Sequence, residues 1–154
     1  MSLYPLFAGL EATPIGAGIR NSVWLFPAIE TIHLLALALL GGSILLLDLR
    51  LLGLAFTAQS PATIERDARP WLIGAIGTLL VTGVLLGLSE ALKLYDKQAF
   101  WIKMTALASA LVFTFGIRNP MARRNPGALG KAVAVVSLAL WLTVAIAGRW
   151  IGFS

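Results

Sequence analysis

The chain has 154 residues, 58% of them hydrophobic and 12% charged, with a formal net charge of +5 and no cysteine. Soluble domains carry roughly 25% charged residues, and half that fraction leaves too little polar surface to wet so small a globule, so lipid is the solvent that the composition implies. The lack of cysteine excludes disulfides, thiolate metal sites and a cysteine nucleophile. The basic residues fall between apolar runs, as membrane flanks do, and not in a cluster suited to nucleic acid.

The length suits one unit, a single membrane domain over 1–154. Residues 2–18 are mildly apolar but broken by Pro5, Glu11, Pro14, Gly16 and Gly18, so a short helix lying in the membrane interface is expected there. No basic stretch precedes an apolar core, so this segment reads as retained and not as a cleaved leader. The run from Val23 to Phe56 would reach roughly 50 Å as a helix, against a hydrocarbon core of about 30 Å. The expected span is therefore 29–51, with Trp24 and Phe26 at headgroup level. Residues 57–70, with Pro61, Glu65, Arg66, Asp67 and Arg69, read as a loop holding at most one helical turn. The second span is expected at 71–94, followed by a tight connection in which Asp96 caps the next helix. The third and fourth spans are expected at 99–117 and 131–151, separated by an arginine- and proline-rich loop. The fold class is all-α, a four-helix integral membrane bundle with a short N-terminal interfacial helix.

The connections after spans one and three hold Arg50, Arg66, Arg69, Arg118, Arg123, Arg124 and Lys131. The positive-inside rule then places both termini outside, which in a bacterial inner membrane is the periplasm.

Ionisable residues within spans are costly and mark the places to look for function. Glu30 and His33 share a face of the first span, and Asp48, eighteen residues after Glu30, returns to it after five turns. The stripe Glu30, His33, Leu37, Gly41, Leu45, Asp48 is expected to face the bundle interior. Glu90, Lys103 and Arg149 fall at a similar outer depth. Together Glu30, His33, Glu90, Lys103 and Arg149 form a candidate ligand- or ion-binding cluster with balanced charge. The structural alternative pairs Glu90 with Lys103, lets Lys103 snorkel outward, and leaves Arg149 as a cap or headgroup contact.

Two cofactor readings attach to His33. Glu30-x-x-His33 has the spacing of a metal-ligating pair, and a homodimer with Glu90 would supply a dinuclear carboxylate set. Haem would need a second axial ligand, from a partner's histidine or from Met104. Copper handling has only Met1, Met104 and Met121 to draw on. On the inner side, Asp48 and Arg118 are expected either to pair across helices or to anchor at the interface. Gly83-x-x-x-Gly87 reads as a helix-packing motif, Thr78, Thr82 and Ser89 share a separate face, and mid-span Trp141 reads as core. No catalytic constellation is visible, so an enzyme is not expected.

Several segments resemble an uncharacterised bacterial family of small four-helix membrane proteins. They are Trp24-Leu-Phe-Pro-Ala-Ile-Glu-Thr-Ile-His33, Asp48-Leu-Arg-Leu-Leu-Gly53, Thr82-Gly-Val-Leu-Leu-Gly-Leu-Ser-Glu90, Ala99-Phe-Trp-Ile-Lys103 and Ala147-Gly-Arg-Trp150. The resemblance implies a four-helix membrane fold and no established activity. It also implies a histidine near the end of the third span, where this chain reads Phe113-Thr114-Phe115, so Thr114 removes a second haem ligand. The pattern is loosely similar to copper-resistance membrane proteins and membrane b-type cytochromes.

The function expected is an inner-membrane protein whose outer polar cluster binds or relays a cation, a proton or a metal ion. The alternatives are electron transfer with haem or quinone, and a non-catalytic subunit docked through Gly83 and Gly87. The expected partners are lipid and either a second copy of the chain or a larger membrane complex, with no nucleic acid.

Overall fold

A computed structural model describes residues 3–124 and 126–151, and every regular element among them is helical. Two short helices, α1 (Tyr4–Glu11) and α2 (Pro14–Asn21), precede the long α3 (Leu25–Leu52) and α4 (Pro61–Ser89). After them come α5 (Ala91–Tyr95), α6 (Gln98–Phe113), a π-helical turn (Thr114–Arg118), α7 (Asn119–Arg123) and α8 (Ala128–Ile151). Four stretches are long and apolar enough to cross a membrane: Leu25–Leu52, Pro61–Ser89, Gln98–Arg123 and Ala128–Ile151. The protein is an integral membrane four-helix bundle.

The helices run further than the apolar runs alone suggest. α4 starts at Pro61, inside the stretch that reads as a loop. Ser60 Oγ caps it by accepting the Thr63 N–H at 3.2 Å, and Pro61 occupies a first-turn position that needs no donor. Pro70 then lies within the helix and removes the intrahelical donor for the Arg66 carbonyl. Both residues are exposed, so water can serve that carbonyl. At the other boundary, α3 ends on Gly53 at φ 76°, the left-handed conformation that glycine adopts without a Cβ penalty.

The third span also continues past its expected end, through Arg118 and Pro120 to Arg123. Pro120 cannot donate to the turn before it, and the chain widens there: the Asn119 N–H bonds back to the Thr114 carbonyl in a π-type turn. The extra residue brings Thr114, Arg118 and Asn119 inward together, at 0%, 1% and 2% exposure.

α3 packs against α4 and α8, and α6 against α8. The mid-membrane core joins Leu40, Ile44, Leu72, Ala75, Ala110 and Trp141. Ala75, Ala110 and Ala134 are almost wholly buried, and such small residues let helix backbones approach closely where lipid supplies no hydrophobic drive. Large apolar side chains such as Leu35, Val81 and Val112 point outward, which a bilayer tolerates and water would not.

The N-terminal segment is helical in two pieces, broken at Ala12 and Thr13. It closes over the point where α4 gives way to α5. That break leaves a carbonyl at the end of α4 and an N–H at the start of α5 without intrahelical partners. Arg20 Nη1 donates to the Ser89 carbonyl at 3.0 Å, and the Leu92 N–H donates to Glu11 Oε2 at 2.7 Å. Glu11 and Arg20 pair with each other at 3.3 Å. The rings of Phe7, Tyr95, Phe100 and Trp101 pack in tilted and edge-to-face pairs beside this clamp.

Candidate functional site

The interior of the bundle holds two polar layers, separated by the apolar core. One lies on the arginine-rich side. Arg118 Nε donates to Asp48 Oδ1 at 2.5 Å, Nη1 to Asn119 Oδ1 at 3.0 Å and Nη2 to the Ile44 carbonyl at 2.6 Å. The second oxygen of Asp48 accepts from Ser137 Oγ at 2.8 Å. Asp48 and Arg118 side chains are 0% and 1% exposed, so each charge is tolerated only because the other, with its hydrogen bonds, satisfies it. Above them the Trp141 Nε1–H donates to Thr114 Oγ1 at 3.1 Å. Toward the surface, Arg123 grips buried Glu65 through two parallel bonds, of 2.9 and 2.8 Å. Between these groups, Ser43, Glu65, Ala68, Arg118 and Asn119 help to line a cavity of about 10 Å³, room for about one water.

The second layer lies near the end that carries α1 and α2, fifteen residues back along α3 from Asp48 and so about 22 Å away. His33 Nδ1 stands 2.7 Å from Thr82 Oγ1 on α4. The Thr82 hydroxyl is itself 2.6 Å from the Thr78 carbonyl. A carbonyl only accepts and the hydroxyl owns one proton. That proton therefore goes to Thr78, and His33 Nδ1–H donates to Thr82. In the neutral ring this geometry favours the Nδ1–H tautomer, which leaves the lone pair on Nε2. The ring lies against Gly83, where an added Cβ would be 3.5 Å from His33 Cε1. Lys103 stands on α6 and is half-buried. Its stem rests on Gly148 of α8, with Cε 3.5 Å and Nζ 3.6 Å from where a Cβ would be. Neither Lys103 Nζ nor His33 Nε2 has a hydrogen bond or ion pair among the described residues, and no fully buried side-chain nitrogen or oxygen among them lacks a partner. Both nitrogens therefore remain accessible.

Of the five residues placed at the outer level by sequence, His33 and Lys103 are half-buried. Glu30 is exposed. Glu90 pairs with Lys93 at 3.3 Å, not with Lys103. Arg149 is exposed on the last turns of α8. The buried face of α3 is Ala36, Leu40, Ser43, Ile44, Leu47, Asp48 and Leu51, turned from the expected polar stripe. Leu37 and Leu45 are 37% and 47% exposed, and nothing lies within 4 Å of a Cβ built on Gly41. The same construction on Gly87 meets Leu94 at 3.9 Å. Met104 is 43% exposed, beside Lys103 but on the outward side of α6. Thr114 belongs to the Arg118 layer, so position 114 stands well below His33 along the bundle.

Two contributors carry no expectation from sequence. Ser137 had a signal, as the one hydroxyl of α8 between Lys131 and Thr143. The pairing of Glu65 with Arg123 had none, because both fall in stretches that read as loops.

The fold and these two layers define a polytopic four-helix membrane protein with ionisable side chains inside the bundle. The model of a family described as Family of unknown function (DUF6644) matches residues 22–154, and the chain belongs to that family. The match opens at Ser22, so α1 and α2 precede it. Comparison with curated proteins found no match, and comparison with solved structures found none either.

Proposed function

We propose that this protein handles protons within the membrane, with His33 as the acceptor. The observation that carries the reading is the direction of the hydrogen bonds at Thr82, which leaves Nε2 bare, oriented and accessible. A histidine held by one nitrogen and open at the other is the arrangement that takes up and releases a proton near neutral pH. A metal ion would use the same atom but needs further ligands. Among the described residues no three His, Asp or Glu side chains gather as a metal site, so the proton is the cation favoured for a single chain. The positive-inside rule, applied to the arginine-rich connections, supports a reading with Asp48 and Arg118 on the cytoplasmic side of a bacterial inner membrane and His33 on the periplasmic side. The reading is non-enzymatic.

The test is proton flux into liposomes that contain the purified protein, with a pH gradient and a potential imposed in turn. The wild type is expected to pass protons and His33→Gln to lose that flux while keeping its helical content. Equal flux in the two proteins overturns the reading. A visible spectrum of the same sample addresses haem: a Soret band lost in His33→Gln would replace the proton reading with electron transfer.

A further inference from the structure

We propose that the groove between the start of α6 and the end of α8 seats one phosphatidylethanolamine molecule, with its ammonium on Asp96 and an acyl chain along the two helices. The groove has a volume of about 690 Å³, within the range of roughly 300–1,000 Å³ typical of small-molecule sites. Its origin is the size of the residues at the contact. Ala99 of α6 and Ala147 of α8 are small, and the larger Ile102, Ile146 and Trp150 line the groove with them. Ile146 and Trp150 are 61% and 65% exposed, so this apolar surface faces outward, to lipid. Thr143 lines the deep end, eight residues before the end of α8 and so about 12 Å into the span. Its hydroxyl is spent on the Ala139 carbonyl of its own helix at 2.8 Å, so the depth of the groove offers a chain no competing donor. The hydrocarbon of one leaflet is about 15 Å deep, and the groove covers most of that depth.

The mouth of the groove is polar. Asp96, Lys97 and Gln98 line it, at the point where the third span begins and headgroups lie. Trp150 stands near the end of the fourth span, the level at which tryptophan anchors in a bilayer. The sequence predicts Asp96 as the cap of α6, but the N-cap is Lys97 and no side chain caps the helix. The Asp96 carboxylate is exposed instead, and among the described residues it holds no hydrogen bond or ion pair. The lysines on either side have other contacts: Lys93 meets Glu90 at 3.3 Å, and Lys97 donates to the Ile151 carbonyl at 2.8 Å. Arg149, next to Trp150, does not line the groove. A primary ammonium brings Asp96 both a positive charge and three N–H donors. A choline head brings the charge without a donor, and a glycerol head brings net negative charge that Asp96 repels. The Gln98 amide supplies N–H donors for the phosphate that adjoins the ammonium. A carboxylate followed by an amide donor thus complements the zwitterionic head. The groove opens on the lipid face of the bundle and does not involve His33.

The experiment uses the full chain, delipidated in detergent and then offered phosphatidylethanolamine, phosphatidylglycerol and phosphatidylcholine with the same acyl chains at equal mole fraction. Native mass spectra count the lipids retained. One phosphatidylethanolamine per chain is expected, in preference to both competitors. Asp96→Asn is an isosteric change at an exposed position and is expected to keep the helical content. It should weaken phosphatidylethanolamine about tenfold, as loss of a charged hydrogen bond implies, without weakening the other two lipids. Thr143→Phe places a ring in the groove from an exposed position and is expected to displace the lipid. Equal retention of the three lipids, or a preference unchanged in Asp96→Asn, overturns the proposal. Phosphatidylethanolamine bound as tightly in Thr143→Phe as in the wild type overturns its placement in this groove. A lipid-free dimer that Thr143→Phe splits also overturns it, and gives the groove to a second copy of the chain.

Discussion

His33 Nδ1 and Thr82 Oγ1 lie 2.7 Å apart across the α3–α4 contact, and the threonine's own proton is engaged by Thr78. The donor in the pair is therefore the histidine. Thr82→Val keeps the shape and deletes the acceptor. It is expected to free the ring, to populate the Nε2–H tautomer, and to cost about 1 kcal/mol, the net worth of a buried hydrogen bond. Thr82→Ser is expected to preserve the tautomer. Imidazole ¹⁵N shifts of the sole histidine read both outcomes.

The Asp48–Arg118 pair is enclosed by α3, the π-helical turn and α8. Asp48→Ala leaves a guanidinium buried without its partner, and Arg118→Met leaves a carboxylate so. Each is expected to destabilise by roughly 3–5 kcal/mol. The double variant Asp48→Leu with Arg118→Met is expected to recover much of that loss, because no charge then remains unpaired. Arg118→Lys should not rescue, since one ammonium cannot span the Asp48, Asn119 and Ile44 acceptors that the planar fork reaches. Thermal unfolding in detergent measures all four.

Glu11 caps α5 from 81 positions away in sequence. Glu11→Ala removes the acceptor for Leu92 and the partner of Arg20 at once. The expected result is faster hydrogen exchange at the Leu92 amide and earlier proteolysis within α1 and α2, with the four spans unchanged. Exchange as slow as in the wild type would show that the clamp does not hold this end of α5.

Two glycines of α2 give an internal control on the same docking. A Cβ on Gly16 would overlap the Leu88 carbonyl, whereas one on Gly18 meets nothing within 4 Å. Gly16→Ala is expected to lift α2 from α4 and loosen the N-terminal helices. Gly18→Ala is expected to be neutral or to stabilise by about 0.5–1 kcal/mol through helix propensity alone. Exchange rates across residues 14–21 separate the two.

The spans were legible because length and apolarity decide them, and four stretches of that kind survive any reasonable shift of boundary. Their ends were not, since capping overrides composition. Ser60 and Pro61 start α4 within a charged stretch, and the π-helical turn before Pro120 carries the third span to Arg123. The meeting of Asp48 and Arg118 was one of the two outcomes that their position at span ends on one side of the membrane left open. The buried face of α3 did not follow, because a bilayer accepts leucine outside as readily as inside, so polar residues alone marked the face poorly. Glu30 shows the consequence: it shares a helical register with Asp48, yet it is exposed near the membrane surface. Glu90 found Lys93 one turn away, a local contact that outcompeted the distant Lys103.

The most direct test of the central claim is a pH series of imidazole ¹⁵N spectra on the protein in neutral nanodiscs, where His33 gives the only histidine signals. The account predicts a protonated Nδ1 and a bare Nε2 at high pH, with Nε2 gaining its proton as the pH falls. A neutral ring protonated at Nε2, or an Nε2 signal that does not respond to pH, would contradict it.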